Sequence, residues 1–152
     1  MIDNHDNFAY PRHFIVISTH DDIALLRAIL GESGVPPHDM FPCALLSPPD
    51  AGCFMGARWW RALTAHVPVP AFLDCGMSAG RAAEGLRAGL AGVIVDHACT
   101  QHVALGALAR VTGGRFLRGR PDAHVIAGHD PGAGIRDYLR RAPMGNRFPH
   151  EA

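Results

Sequence analysis

The sequence predicts an α/β fold, a three-layer sandwich built on a mainly parallel five-stranded sheet. The clearest observation is residues 72–96, where a short apolar run, a glycine-bounded turn, an amphipathic stretch and a second apolar run follow directly. This succession is typical of a βαβ unit, since continuous apolar runs suit parallel strands that are buried on both faces. A second strand-then-helix pattern occupies residues 13–30, and short strands alternate with helices along the rest of the chain. Such alternation indicates a parallel sheet flanked by helices.

Apolar runs place the predicted strands at 13–17, 43–46, 71–73 and 93–95. Two further segments, 115–118 and 123–127, are candidates for the last strand, and the pattern does not choose between them. Right-handed crossovers and the size of the chain favour the flavodoxin-like strand order 2-1-3-4-5. That order predicts a ligand crevice between the ends of the first and third strands.

Helical spacing predicts a helix after nearly every strand, and one of these contains two tryptophans. Met55, Trp59, Ala62 and Leu63 share one face of it, whereas Trp60 falls off that face. An indole in this position either contacts a partner or packs against a neighbouring helix. We expect packing, because large aromatic side chains are usually mostly buried.

A chain of 152 residues with 48% hydrophobic and 18% charged residues is sufficient for one domain with its own core. We expect a flexible lead-in over 1–12, a single domain over 13–143 and a tail over 144–152. No apolar stretch approaches the length of a membrane span, and the polar, acidic N-terminus does not resemble a secretion signal. The sequence therefore predicts a cytoplasmic protein without a membrane partner.

The basic residues are all arginine: the chain has 14 of them and no lysine. Enzymes that use a lysine amine, such as Schiff-base aldolases and P-loop nucleotide hydrolases, are excluded because guanidinium does not readily lose its proton and is not a point charge. Net charge is zero, but arginines outnumber acids in residues 110–152. An acidic partner could meet that segment, while a neutral chain without a recognised motif does not favour nucleic acid.

The carboxyl ends of the predicted strands carry the candidate site, because ligands of open α/β sheets bind there. The crevice candidates are His20, Asp21, Asp22, Asp74, Cys75, Asp96 and His97. If Asp21, Asp22 and Asp74 converge, their mutual repulsion would raise a pKa or recruit a divalent cation such as Mg²⁺. The alternative is structural: Asp21 or Asp22 caps the first helix, and Asp74 accepts N–H groups of its own turn.

Two further groups of residues near this edge could bind or react. Gly76, Ser78 and Gly80 open a helix after a strand, so their N–H groups could hold a small anionic ligand, although the glycines could equally serve only the turn. Cys75 follows a buried strand beside Asp74, and both burial and that charge disfavour its thiolate. Cys99, near His97, is expected to be the more reactive thiol.

These features resemble the receiver domain of response regulators. Receivers carry an acidic pair after strand one, a phospho-accepting aspartate after strand three, a hydroxyl residue after strand four and a lysine after strand five. Asp21 with Asp22, and Asp74, stand at the first two positions. Asp96 stands where the hydroxyl is expected, Thr100 follows four residues later, and Arg118 is a substitute for the lysine.

The resemblance implies a degenerate receiver without the normal phosphorylation switch. We therefore predict a non-catalytic regulatory or signalling module that binds a protein partner or forms a homodimer. The alternative is a small enzyme that binds a metabolite or metal in the crevice, with no cofactor certain and Mg²⁺ the candidate ion.

Overall fold

The computed structural model describes residues 11–36 and 42–141, and these form an α/β fold around a parallel sheet of six strands. The strands are β1 (His13–Val16), β2 (Cys43–Leu46), β3 (Ala71–Asp74), β4 (Gly92–Val95), β5 (Arg115–Arg118) and β6 (His124–Val125). The described helices are α1 (His20–Leu30), α2 (Ala51–Phe54), α3 (Gly56–Thr64), α4 (Ala79–Arg87), α5 (His102–Thr112) and α6 (Pro131–Arg140). The predicted tail over 144–152 lies outside the described residues, as does the predicted lead-in apart from residues 11 and 12.

The strand order is β5-β4-β3-β2-β1-β6, which corrects the predicted order 2-1-3-4-5. β2 lies between β1 and β3 instead of outside β1, with Phe14 beside Ala44 and Leu46 beside Phe72. Both candidate segments for the last strand join the sheet, β5 against β4 at one edge and β6 against β1 at the other. The sheet therefore has six strands where five were predicted.

The helices of the described chain pack on one face of the sheet. Steps from β1 to β5 all run in one direction, and right-handed crossovers taken in one direction place every helix on the same side. The core agrees, because Ile15, Leu45 and Leu73 of the sheet share one apolar cluster with buried residues of α1, α3, α4, α5 and α6. The predicted second helical layer is not present in residues 11–36 and 42–141, because it required a reversal of direction at β1.

The second face of the sheet is also buried and apolar. Phe14, Ala44, Leu46, Phe72, Ile94 and Leu117 form its cluster, and each is at most 2% exposed. The connection from β5 to β6, residues 119–123, runs from one edge strand to the other, and Ala123 of this connection packs on the cluster. This crossing segment, which we call the strap, brings arginine to the end of β3.

In the segment with two tryptophans, the buried residues differ from the predicted apolar face. Trp60 is fully buried in the core, as the packing interpretation expected, whereas Met55 is 54% exposed. Gly56 has φ +80°, a conformation that favours glycine, and it separates α2 from α3. Because the helical phase restarts there, Met55 no longer lies on the face of α3 that turns toward the sheet. Trp59 is partly buried and packs against the core beside Trp60.

The strand and helix content places the chain among α/β proteins with a parallel sheet, as predicted. None of the helices in the described parts of the chain is long and apolar enough to cross a membrane.

Candidate functional site

Asp74, the last residue of β3, is the most enclosed carboxylate at the carboxyl edge of the sheet. It is 5% exposed, and its position on the strand directs it to the second face, where the strap passes. Its Oδ1 accepts the N–H of Gly76 at 2.9 Å, and its Oδ2 accepts Nη1 of Arg120 at 2.8 Å. Both oxygens therefore have a partner within the chain, one in the local turn and one in the strap.

Ser47 and Asp50, which follow β2, complete the surroundings of this turn. Ser47 is fully buried, and its hydroxyl accepts the backbone N–H of Asp74 at 2.9 Å. Asp50 has φ 59°, the left-handed conformation that aspartate tolerates better than most residues. A Cβ on Gly76, whose φ is +54°, would collide with Oδ1 of Asp50. A side chain at position 76 would be strained, because of both the left-handed conformation and the close carboxylate of Asp50.

The acidic pair after β1 is used in part to cap α1. Oδ2 of Asp22 accepts the N–H of Ser18 at 2.8 Å and that of Thr19 at 3.1 Å. The Thr19 hydroxyl in turn accepts the N–H of Asp22 at 3.2 Å, which completes a capping box. Asp21 and His20 occupy the same first turn and are exposed. Asp22 thus has the capping role that was the alternative to a metal ligand.

The structure does not bring the proposed metal ligands together. Asp21 and Asp22 follow β1 and Asp74 ends β3, so the inserted β2 separates them by two strand spacings, about 10 Å. Within residues 11–36 and 42–141, no group of three or more His, Cys, Asp or Glu is placed to hold a metal ion. The Mg²⁺ hypothesis depended on the order 2-1-3-4-5, in which β1 and β3 are neighbours.

Asp96 and His97, after β4, are exposed and belong to a local turn. Oδ1 of Asp96 accepts the N–H of Ala98 at 2.8 Å, while its backbone N–H donates to Gly76 O at 2.8 Å. The imidazole of His97 covers Gly119 at the start of the strap, leaving no room there for a Cβ. Asp96 therefore joins the β3 and β4 turns through its backbone, while His97 contacts the strap.

The anion-binding candidates show the geometry of an ordinary helix start. The N–H of Gly76 is donated to Asp74, and the hydroxyl of Ser78 accepts the N–H of Arg81 at 3.2 Å as the cap of α4. Gly80 is exposed in the first turn of α4. Two of the N–H groups that an anion would need are thus already paired within the chain.

The four cysteines differ in their exposure to solvent. Burial, followed by the charges of Cys53 and Asp74, raises the pKa of Cys75 to about 12. Burial also raises the pKa of Cys43 to about 11. Cys99, expected to be the more reactive thiol, is only 2% exposed, so the structure places it in the core. Cys53 is the cysteine that is not buried, and its Sγ donates to Cys75 O at 3.1 Å.

Limiting iodoacetamide at neutral pH is expected to label Cys53 before the other three cysteines, because thiolate formation and access are both suppressed in the core. Peptide mass spectrometry of the native protein measures the order, and labelling in denaturant provides the control in which all four react. Rapid labelling of Cys75 in the native state would show that the β3 turn opens and that its thiol is available for chemistry.

Arg120 and Ser47 are the partners of Asp74 that sequence reasoning missed. Arg118 was the predicted substitute for the lysine because it ends the fifth strand. In the structure its Nη2 donates to His97 O at 3.3 Å. Arg120 lies two residues further on, inside the strap, and its approach to Asp74 depends on the path from β5 to β6. No local spacing in the sequence signals that path.

An exposed apolar group lies beside this network. Phe54 is 83% exposed, Met55 is 54% exposed and Met77 is 58% exposed. We call these three residues the apolar patch. Phe54 ends α2, Met55 follows it, and Met77 lies in the turn between β3 and α4. α2 and this turn are in direct contact, because a Cβ on Gly52 would lie 2.7 Å from Sγ of Cys75. The carboxyl edge therefore combines occupied polar groups with exposed apolar ones.

No family model, curated protein or solved structure matches this chain.

Proposed function

We propose that this chain is a non-catalytic regulatory or protein-interaction module, comparable with a degenerate receiver domain. The observation that carries the proposal is the engagement of Asp74, whose two carboxylate oxygens accept hydrogen bonds from Gly76 and Arg120 in a 5% exposed position. A phosphoryl donor or a metal ion would have to displace Arg120 before it could reach Oδ2. With both oxygens hydrogen-bonded in this way, the role of Asp74 is to stabilise the fold.

The position of Arg120 also supports the comparison with receivers. A lysine after strand five was the feature that the sequence lacked, and here an arginine after β5 contacts the aspartate after β3. β3, β4 and β5 are neighbours in the order expected of a receiver, whereas β2 separates the acidic pair from Asp74. Such a module would share the β3-β4-β5 part of a receiver sheet without the metal-binding centre of the switch.

The exposed groups next to Asp74 favour recognition of a protein. Phe54, Met55 and Met77 are each more than half exposed at the carboxyl edge, and exposed apolar surface is typical of interaction sites. Methionine adapts its shape to a partner more easily than branched residues do. Binding through this edge needs no chemistry from Asp74, Cys75 or Asp96.

We expect millimolar Mg²⁺ or Mn²⁺ to leave the melting temperature unchanged, and acetyl phosphate to give no stable adduct on Asp74. A bound native-state ligand would stabilise the fold by mass action, so thermal unfolding is a direct assay for the cation. Intact-protein mass spectrometry is the assay for the phosphoryl group, with Asp74→Asn as the matched control. A stoichiometric adduct that Asp74→Asn abolishes would overturn the proposal and restore an active receiver.

A further inference from the structure

The helices beside the apolar patch carry arginine almost without opposing charge. The exposed charged residues of α3 and α4 are Arg58, Arg61, Arg81, Arg87 and one acid, Glu84. Arg81 contacts Glu84 at 3.0 Å, which neutralises that acid. Arg58, Arg61 and Arg87 have no acidic partner in the described parts of the chain. This side of the molecule is therefore positive although the whole chain has zero net charge.

The arginines and the apolar patch alternate along two adjoining helix starts. Arg58 follows Met55 by three residues at the start of α3, and Arg81 follows Met77 by four residues at the start of α4. Gly56 interrupts the helix between Met55 and Arg58, and Met77 precedes α4, so each arginine is close to its methionine in sequence without sharing one helical face with it. α4 packs against both α2 and α3, so the two helix starts share one surface. An apolar centre is thus bordered by basic side chains.

We propose that this surface binds an acidic amphipathic helix of a partner protein, an inference that rests on the proposed function. Apolar side chains of such a helix would cover Phe54, Met55 and Met77, and its carboxylates would meet Arg58, Arg61 and Arg81. Recognition by an apolar helix face is a common mode of peptide binding. Added strands would instead need a free sheet edge, and the edges of this sheet are β5 and β6, away from the end of β3.

The exposed arginines favour an acidic partner by charge complementarity. The apolar patch favours a protein over a nucleic acid. Guanidinium groups attract carboxylates and phosphates alike, so the arginines alone do not distinguish these two ligands. Binding of a nucleic acid draws mainly on phosphate contacts; a single strand could stack a base on Phe54 but gains little from Met55 and Met77. Binding of a peptide concentrates its energy in a few desolvated apolar and arginine contacts, which this surface offers together.

The test is fluorescence anisotropy with a short fluorescein-labelled helical peptide that carries leucine at i, i+3, i+4 and i+7 and glutamate at its other positions. Matched peptides replace glutamate with lysine or leucine with serine, and a single-stranded oligonucleotide of equal length probes phosphate binding. We expect the glutamate–leucine peptide to bind best, with affinity falling as salt is raised. The double variant Phe54→Ser/Met77→Ser and the double variant Arg58→Glu/Arg61→Glu should each weaken binding about tenfold.

Two surface variants on α5 serve as matched controls. Val111 is 84% exposed and Arg110 is exposed, and neither borders the patch, so Val111→Ser and Arg110→Glu should leave peptide affinity unchanged. Melting temperatures of all variants check that the fold is kept. Binding of the lysine–leucine peptide through Phe54 and Met77 would overturn the acidic partner while leaving the interaction module standing.

The remaining outcomes each contradict the inference in a different way. Oligonucleotide binding that survives Phe54→Ser/Met77→Ser would replace the peptide by nucleic acid. Absence of binding by every peptide would overturn the docking surface, and the phosphoryl adduct on Asp74 would separately overturn the proposed function. Loss of affinity in the α5 controls as large as in the patch variants would show a general charge effect without a defined surface.

Discussion

Arg120→Met is expected to lower the free energy of unfolding by about 3 kcal/mol, which is near the low end for removal of one partner from a buried ion pair. The low end applies because the Arg120 side chain is 26% exposed, whereas that of Asp74 is only 8% exposed. The variant leaves the Asp74 carboxylate enclosed, with Gly76 as its remaining donor. Urea unfolding followed by circular dichroism measures the loss.

A double-mutant cycle separates the ion pair from other effects of the substitution. Adding Asp74→Asn to Arg120→Met removes the uncompensated charge, so the double variant should be more stable than Arg120→Met alone. Arg136→Met is the matched control, because it breaks the surface pair of Arg136 with Glu32, at 2.7 Å, in a more exposed place. Its cost should be much smaller. Equal losses for Arg120→Met and Arg136→Met would mean that the strap is not held by Asp74.

Trp60→Ala is expected to lower the free energy of unfolding by about 3 kcal/mol. Truncation of a core tryptophan ordinarily costs about 3–5 kcal/mol, and the lower value applies because the buried Nε1 of Trp60 has no hydrogen-bond partner among the described residues. Removal of the indole therefore also removes an unpaired donor. Circular dichroism in urea is the suitable measurement, since the substitution alters the fluorescence itself.

Trp59→Ala is the control, because Trp59 is only partly buried and adjoins Trp60 at a ring distance of 5.7 Å. Its loss should be clearly smaller than that of Trp60→Ala. Trp60→Phe, which keeps an aromatic ring and removes the N–H, should cost under about 1.5 kcal/mol. The reverse ranking, with Trp59→Ala the more damaging, would support the apolar face predicted from helical spacing and contradict the placement of Trp60 as the core indole of α3.

Strand positions were predictable from sequence because their determinants are local. The segments predicted at 43–46 and 115–118 agree with β2 and β5, and the other strands agree within a few residues. Each is an apolar or largely apolar run bounded by turn residues, and both faces of the sheet are indeed buried. Apolar runs report burial, however, and carry no information on which segment covers each face.

The strand order was not predictable, because it depends on contacts between distant segments. β1 and β2 have the same apolar character, so sequence patterns do not show whether β2 lies inside or outside β1. The position of β2 determines both the side on which the helices pack and the separation of the carboxylates. Because β2 lies beside β3, the helices pack on one face and Asp21 and Asp22 lie away from Asp74. The metal-site hypothesis required β1 and β3 to be neighbours, and the observed strand order places β2 between them.

In the candidate site, the local interactions were predictable from the sequence and the contacts between distant segments were not. Asp22 as a helix cap and Asp74 as an acceptor in its own turn are local interactions, and both were alternatives that the sequence suggested. Arg120 was not predictable, because it reaches Asp74 only through the path of the strap. The exposure of Met55 was not predictable, because the helical pattern continues through Gly56 in sequence but not in the structure.

The central claim is that Asp74 serves the fold, and the sign of the stability change in Asp74→Asn tests it most directly. A carboxylate kept for chemistry or metal binding strains the native state, and neutralising it commonly raises stability. Asparagine at position 74 would retain an acceptor for Gly76 but would lose the charge that holds Arg120. The account predicts that Asp74→Asn lowers the free energy of unfolding by about 2 kcal/mol. An increase in the free energy of unfolding would contradict it.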